Sequence, residues 1–221
     1  MIFDLDGVLA DSEHLWNEAK EALTHEAGGT WLEEAPVAML GMSSPEWSRY
    51  MQHALKIPLE AREVDRRVVT RVTELYHERS PVLPGAAQTV RAIAARWPVG
   101  LASSSNREII DLFLEVSGLA DSFTTTVSSE EVPRGKPSPD VYLEAARRIG
   151  VAATACVAVE DSSNGMRSAN AAGMRVIAIP NRDYPPSDDA LRLTDIEVDD
   201  IGLVTPELIE STAGLKPPEQ Q

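Results

Sequence analysis

Between residues 81 and 180 the chain alternates short apolar runs with helical segments, and this alternation constrains the fold more than any other feature. The runs at 99–103, 155–159 and 176–179 have strand length, and 123–127 is a weaker one. Between them the spacing of apolar residues predicts helices over 86–96, 108–116, 140–149 and 164–172. Runs this apolar have to be covered on both faces, so the pattern predicts an α/β fold with a parallel sheet and helices on each side. Residues 196–198 fit an edge strand, and 206–221, ending Lys-Pro-Pro-Glu-Gln-Gln, are expected to be poorly ordered.

One more strand belongs to this sheet. Met1-Ile2-Phe3 runs straight into Asp4-Leu5-Asp6-Gly7, an apolar run ended by turn residues. Only three residues precede Asp4, so either this strand is short or native residues precede Met1. Residues 12–79 carry no strand pattern: Leu15, Trp16, Ala19, Ala22, Leu23 and Ala27 recur at helical spacing, and further helices are expected near 44–55 and 60–79. The expected organisation is an α/β core of residues 1–12 and 82–221 with a helical module, 13–81, inserted after the first strand.

In open parallel sheets, ligands bind beyond the carboxyl ends of the strands. Asp4 and Asp6 follow the first run, and Ser103-Ser104-Ser105-Asn106 end the second. Lys136 stands in Gly-Lys-Pro-Ser-Pro ahead of a helix, and Glu160-Asp161 close another run. Each alone has an ordinary explanation as a turn, a helix cap or a solvated lysine. Together they place carboxylates, a hydroxyl and an ammonium on one sheet edge, a set that suits phosphoryl transfer. A carboxylate approaching a phosphate ester is an anion approaching an anion, so positive charge has to be supplied locally. Mg²⁺ takes oxygen ligands. Asp4, Asp161 and a backbone carbonyl near Asp6, with Glu160 helping, would hold it. Lys136 would offset negative charge, and the Ser103 hydroxyl would donate to a phosphoryl oxygen.

Charge and composition narrow the partners. A formal net charge of -15 argues against nucleic acid, which is bound through surplus Lys and Arg. The chain shows no membrane-length apolar stretch and no signal peptide. Its single cysteine, Cys156, lies in an apolar run and reads as a buried, inert thiol. A cytoplasmic, monomeric protein acting on a small phosphorylated metabolite is expected.

The order D-L-D-G-V, apolar run to Ser103, G-K-P-S-P-D and V-E-D-S-S-N-G resembles the haloacid dehalogenase superfamily. D-G-V-L-A-D-S-E followed by a helical insert is similar to its β-phosphoglucomutase-like branch, with hexitol-phosphate and 2-deoxyglucose-6-phosphate phosphatases nearest. The resemblance implies a Rossmann-like core with an inserted all-helical cap, and an Mg²⁺-dependent phosphatase of sugar or polyol phosphates. It implies that Asp4 is the nucleophile and Asp6 the general acid and base. Ser103 and Lys136 would bind the transferring group, and Glu160 with Asp161 would complete a metal site shared with Asp4 and Asp6. Ser104 and Asn106 beside that site, and Glu13, Trp16, Met42 and Ser43 from the insert, are candidates for substrate contact. Trp16 and Trp47 are equally suited to packing within the insert.

Other reactions of the superfamily fit less well. Dehalogenation needs no second aspartate, so Asp6 speaks against it. Carbon–phosphorus cleavage uses a cap lysine, and Lys20 and Lys56, the lysines of the insert, stand in no recognisable motif. A sugar phosphomutase is the main alternative. That branch carries a histidine where Trp16 stands and a basic pair in the loop at 40–47, which has no Lys or Arg before Arg49. A catalytically silent phosphometabolite-binding protein is the alternative of another class. His14, His25, His53 and His77 lack ligand-like clustering and are expected on solvated helix faces.

Overall fold

The computed structural model describes residues 1–213. Strand β1 (Ile2–Phe3) is followed by four helices, α1 (Glu13–Glu26), α2 (Ala35–Met39), α3 (Ser44–His53) and α4 (Ala61–Glu78). Then come α5 (Ala86–Ala94), β2 (Gly100–Ser103), α6 (Arg107–Ser117), β3 (Thr125–Ser128), α7 (Asp140–Ile149) and β4 (Val157–Glu160). The described chain closes with α8 (Ser163–Ala171), β5 (Arg175–Ala178), α9 (Asp188–Leu191), β6 (Ile196–Glu197) and α10 (Pro206–Ala213).

The strands form one parallel sheet in the order β3-β2-β1-β4-β5-β6. Side chains alternate across it. Phe3, Leu101, Val159 and Ile177 join one buried cluster, and Ile2, Ala102, Ala158, Val176 and Ala178 join another on the opposite face. Both faces being covered is why these strands read as continuous apolar runs. Chain order reverses between β1 and β4, so the crevice beyond their carboxyl ends is the topological switch point where open sheets place ligands.

The insert is all-helical: α4 packs against α1 and α3, and also reaches α6. It joins the sheet domain through two strands of chain lying side by side. Ala10 pairs antiparallel with Val82, the Asp11 N–H donates to Pro81 O at 2.8 Å, and the Leu83 N–H to Leu9 O at 2.9 Å. No helix of the described residues is long and apolar enough to cross a membrane.

One expectation needs correction. Residues 206–213 form a helix, with Ile209 and Thr212 buried and Glu207 and Glu210 paired to Arg96. Thr205 starts it, its hydroxyl accepting from the Leu208 N–H at 3.2 Å, and Pro206 occupies the first helical position, where no N–H is needed. The remainder of the expected poorly ordered segment, 214–221, lies outside the described residues.

Candidate active site

Asp4 leaves β1 on the sheet edge, and its own N–H still donates to Val159 O at 3.0 Å. The chain then turns sharply. The Leu9 and Ala10 N–H groups both donate to Leu5 O, and Gly7 sits at φ +78°. A Cβ at Gly7 would stand 1.9 Å from Asp161 Oδ2, so only glycine fits there. This turn brings the ends of β1 and β4 together.

Asp4, Glu160 and Asp161 are buried and offer carboxylate oxygens all within 4.8 Å of one another. Lys136 is also buried. Its Nζ lies 2.8 Å from Asp4 Oδ1 and 2.6 Å from Glu160 Oε1. Burial alone would lower the Lys136 pKa, but Asp4 and Glu160 outweigh it and hold it above its ordinary value. Three carboxylates against one ammonium leave two negative charges uncompensated when all are ionised. Burial, then the neighbouring Glu160, push the Asp4 pKa up, and the same two causes raise Asp161 well above the carboxylate range. Hard oxygen donors with a deficit of two charges fit a divalent cation such as Mg²⁺.

The donors are not equally free. Glu160 is saturated by protein groups: Oε1 accepts from Lys136 and Tyr142, each at 2.6 Å, and Oε2 from the Asp161 N–H and the Ser162 hydroxyl, each at 3.2 Å. Asp4 and Asp161 are less committed, the latter accepting only a 3.3 Å bond from Asn181. The Asp6 carboxylate does not join the cluster. It points to Ser12 and Ser105, whose hydroxyls donate to its two oxygens. Only its backbone carbonyl is left to serve a metal.

One cavity collects most of the expected residues. Asp4, Asp6, Ser104, Lys136 and Asp161 line its sheet side, and Glu13, Trp16 and Met42 its helical side. Four others do not line it, among them Glu160, whose oxygens are already taken up by protein groups. Ser103 is fully buried at the end of β2, its Oγ accepting from the Ser105 N–H at 2.9 Å, so Ser104 and Ser105 face the cavity in its place. Ser43 closes a capping box with Glu46 at the start of α3. Asn106 is buried between the insert and the sheet domain, accepting from the Ser44 hydroxyl at 2.6 Å and donating to Glu130 at 3.0 Å. Trp16 and Trp47 both pack in the core, edge to face with centroids 6.0 Å apart, and both border the cavity. Cys156 is buried, and the four histidines are exposed.

Sequence reasoning passed over Lys20, Asn17 and Ser105, all of which line the cavity. Glu13, Trp16, Asn17 and Lys20 follow the i, i+3, i+4, i+7 spacing of one helix face, a signal readable in the sequence. Burial raises the Glu13 pKa to about 7, with Asp6 adding to the effect. Burial lowers that of Lys20 to about 8.

A family model described as haloacid dehalogenase-like hydrolase matches residues 1–173. Hexitol phosphatase B of Escherichia coli (strain K12) is 37% identical over 185 residues, covering 81% of this chain and 82% of that protein. CbbY from Rhodobacter sphaeroides, solved in complex with phosphate, superposes with a TM-score of 0.82 at 25% identity, covering 95% of this chain and 97% of that one. A β-phosphoglucomutase from Clostridium difficile shares the fold, with a TM-score of 0.81 at 23% identity and coverage of 96% and 95%.

Proposed function

The chain belongs to the haloacid dehalogenase-like hydrolases, and we propose that it is an Mg²⁺-dependent phosphatase of small sugar or polyol phosphates, working through an aspartyl-phosphate on Asp4. The observation that carries this reading is the meeting of Asp4, Lys136 and Asp161 on one cavity beyond β1 and β4, with Asp6 beside them. The hexitol phosphatase relative supports the substrate class.

In the first step an Asp4 carboxylate oxygen attacks phosphorus, and the bond to the leaving alcohol breaks as the acyl phosphate forms. Lys136, fixed by Glu160, screens the approach of one anion to another. Asp6, whose direction is set by Ser12 and Ser105, gives its proton to the departing alkoxide. Asp6 then takes a proton from the water that attacks phosphorus, which releases inorganic phosphate and restores Asp4. The Ser104 hydroxyl, buried without a protein partner, is free to donate to a phosphoryl oxygen. Asp4, Asp161 and the Asp6 carbonyl would hold the Mg²⁺, which would supply positive charge beside the transferring group. The four helices of the insert act as a cap, hinged where the Asp11 and Pro81 segments pair, and its closure excludes bulk water.

A phosphomutase would have to retain a second phosphate. The loop at 40–47 offers no Lys or Arg, and Lys20 shares its helix face with the Glu13 carboxyl, so hydrolysis is the better reading. A silent binding protein would need none of this acid–base pairing, yet Asp4, Asp6 and Lys136 are all present. The test is phosphate release from a panel of sugar and polyol phosphates with Mg²⁺. Asp4→Asn should abolish release, and β-glucose 1-phosphate should yield free phosphate rather than glucose 6-phosphate. Turnover that survives Asp4→Asn or needs no divalent ion overturns the mechanism.

A further inference from the structure

Lys20 is 6% exposed, yet among the described residues no carboxylate lies within ion-pair distance of its ammonium and no acceptor bonds to it. Its Nζ is held instead by two indoles, 5.5 Å from the Trp16 centroid and 5.2 Å from the Trp47 centroid. An ammonium taken out of water at this cost is normally paired with an anion or fully hydrogen-bonded. Here its three donors remain available on the helical side of the cavity that holds Asp4. Two turns of α1 away, on the same face, stands Glu13, and Asn17 lies between them.

We propose that Lys20 is a specificity-determining residue, donating hydrogen bonds to hydroxyl oxygens of the leaving alcohol while Glu13 on the same helix face accepts from another hydroxyl. The proposal rests on the reading that this cavity hydrolyses a phosphomonoester, and it identifies what the alcohol half of that ester looks like. Cation–π contact with the two rings keeps the charge in place without using up its N–H donors. The same rings give flat apolar surface to the C–H groups of a polyol chain. The electrostatics select hydroxyls over a second anionic group. Above about pH 7, where Glu13 is mostly ionised, its carboxylate offsets the ammonium on this face, and Asp6 adds a further negative charge nearby. A second phosphate would meet repulsion there, whereas a hydroxyl can accept from Lys20 and donate to Glu13.

The experiment compares wild type with Lys20→Met, which keeps length and removes charge and donors, and Lys20→Gln, which keeps an N–H. The substrates are a hexitol 6-phosphate, a hexose 1,6-bisphosphate and phenyl phosphate, whose leaving group has no further hydroxyl. Loss of a charged donor to a bound hydroxyl predicts a fall of about 10- to 100-fold in kcat/KM on the hexitol phosphate for Lys20→Met. Lys20→Gln should fall less, and neither variant should lose activity on phenyl phosphate. An equal loss on phenyl phosphate, no loss on the hexitol phosphate, or a larger loss on the bisphosphate overturns the assignment. Binding measured by calorimetry on the inert Asp4→Asn background separates the two levels of the argument. A hexitol-phosphate Kd that rises at least tenfold on adding Lys20→Met, with the Kd for inorganic phosphate unchanged, supports the contact even if wild type shows no turnover. An unchanged hexitol-phosphate Kd refutes the contact even where turnover is present.

Discussion

Glu160 shows how a single side chain organises the site without touching substrate. Its carboxylate lies close against α8, where Gly165 leaves just enough room. A Cβ there would stand 1.8 to 2.0 Å from the carboxylate atoms. Gly165→Ala must therefore displace Glu160, and with it the Lys136 ammonium bonded at 2.6 Å. Misplacement of a catalytic charge by about 1 Å can cost on the order of 10²-fold in rate. We expect a loss of that size in kcat together with a lower melting temperature; near-wild-type turnover in a folded Gly165→Ala protein contradicts this role for Glu160. The two aspartates after β1 make a separate test. If Asp6 protonates the leaving oxygen, Asp6→Asn should, in single-turnover experiments that follow only formation of the aspartyl-phosphate, slow release of a polyol, a poor leaving group, far more than release of p-nitrophenol. General acid catalysis is typically worth about 10²- to 10⁴-fold. Equal losses on both esters would remove the acid role.

At the scale of elements, the chain is legible where chemistry and periodicity coincide and obscure where an element is short or its signal is local. β2, β4 and β5 were readable because both faces are covered, leaving no polar residue to interrupt the run. The site was readable at Asp4, Lys136 and Asp161 because each stands at the end of such a run or just ahead of a helix, where a parallel sheet converges. α2 was missed because Ala35–Met39 is barely more than one turn and contains a proline. Lys20 was missed because a lysine on a helix is ordinarily solvated; only the packing of α1 against the rest of the insert turns that face inward. α10 is obscure in the sequence because Pro206 heads a stretch that ends in a polar, proline-containing tail, although Thr205-Pro206 is a good helix start. Ile209 is buried against the sheet domain, so Ile209→Ala should lower stability by about 2–5 kcal/mol. The urea midpoint should fall while kcat stays within about twofold, because α10 contributes no residue to the cavity. A variant with unchanged midpoint would show that α10 does not pack as described.

At the scale of the whole molecule, a net charge of -15 and a cluster of buried carboxylates act in the same direction. Asp4, Glu13 and Asp161 all have folded-state pKa values above their ordinary ones, Glu13 at about 7 and the other two raised chiefly by burial. At these three sites the folded chain therefore binds more protons than the unfolded chain above about pH 4. Stability from these groups is complete below the ordinary carboxylate range and is lost as pH rises through their folded values. One group works against them in this window: burial lowers the Met1 amino pKa, so its contribution to stability rises with pH there. Exposed Glu63 and Glu144, held down to about 2 by arginines, change stability only below their ordinary range, and Lys20, at about 8, acts only above it. Metal-free protein should thus melt at progressively lower temperature between pH 5 and pH 8. A divalent ion binds the ionised carboxylates of the folded state, so its stabilisation should grow over the same interval. Mg²⁺ at about 100 times its Kd contributes roughly 2.7 kcal/mol, or about 5–10 °C for a chain of this size. Calorimetric scans at pH 5, 6.5 and 8, with EDTA or with Mg²⁺, should show the two melting curves diverging as pH rises. Asp161→Asn should flatten the EDTA curve and remove most of the Mg²⁺ shift. A shift of equal size at pH 5 and pH 8, or one that survives Asp161→Asn, would mean that the ion stabilises the protein somewhere other than at the ends of β1 and β4.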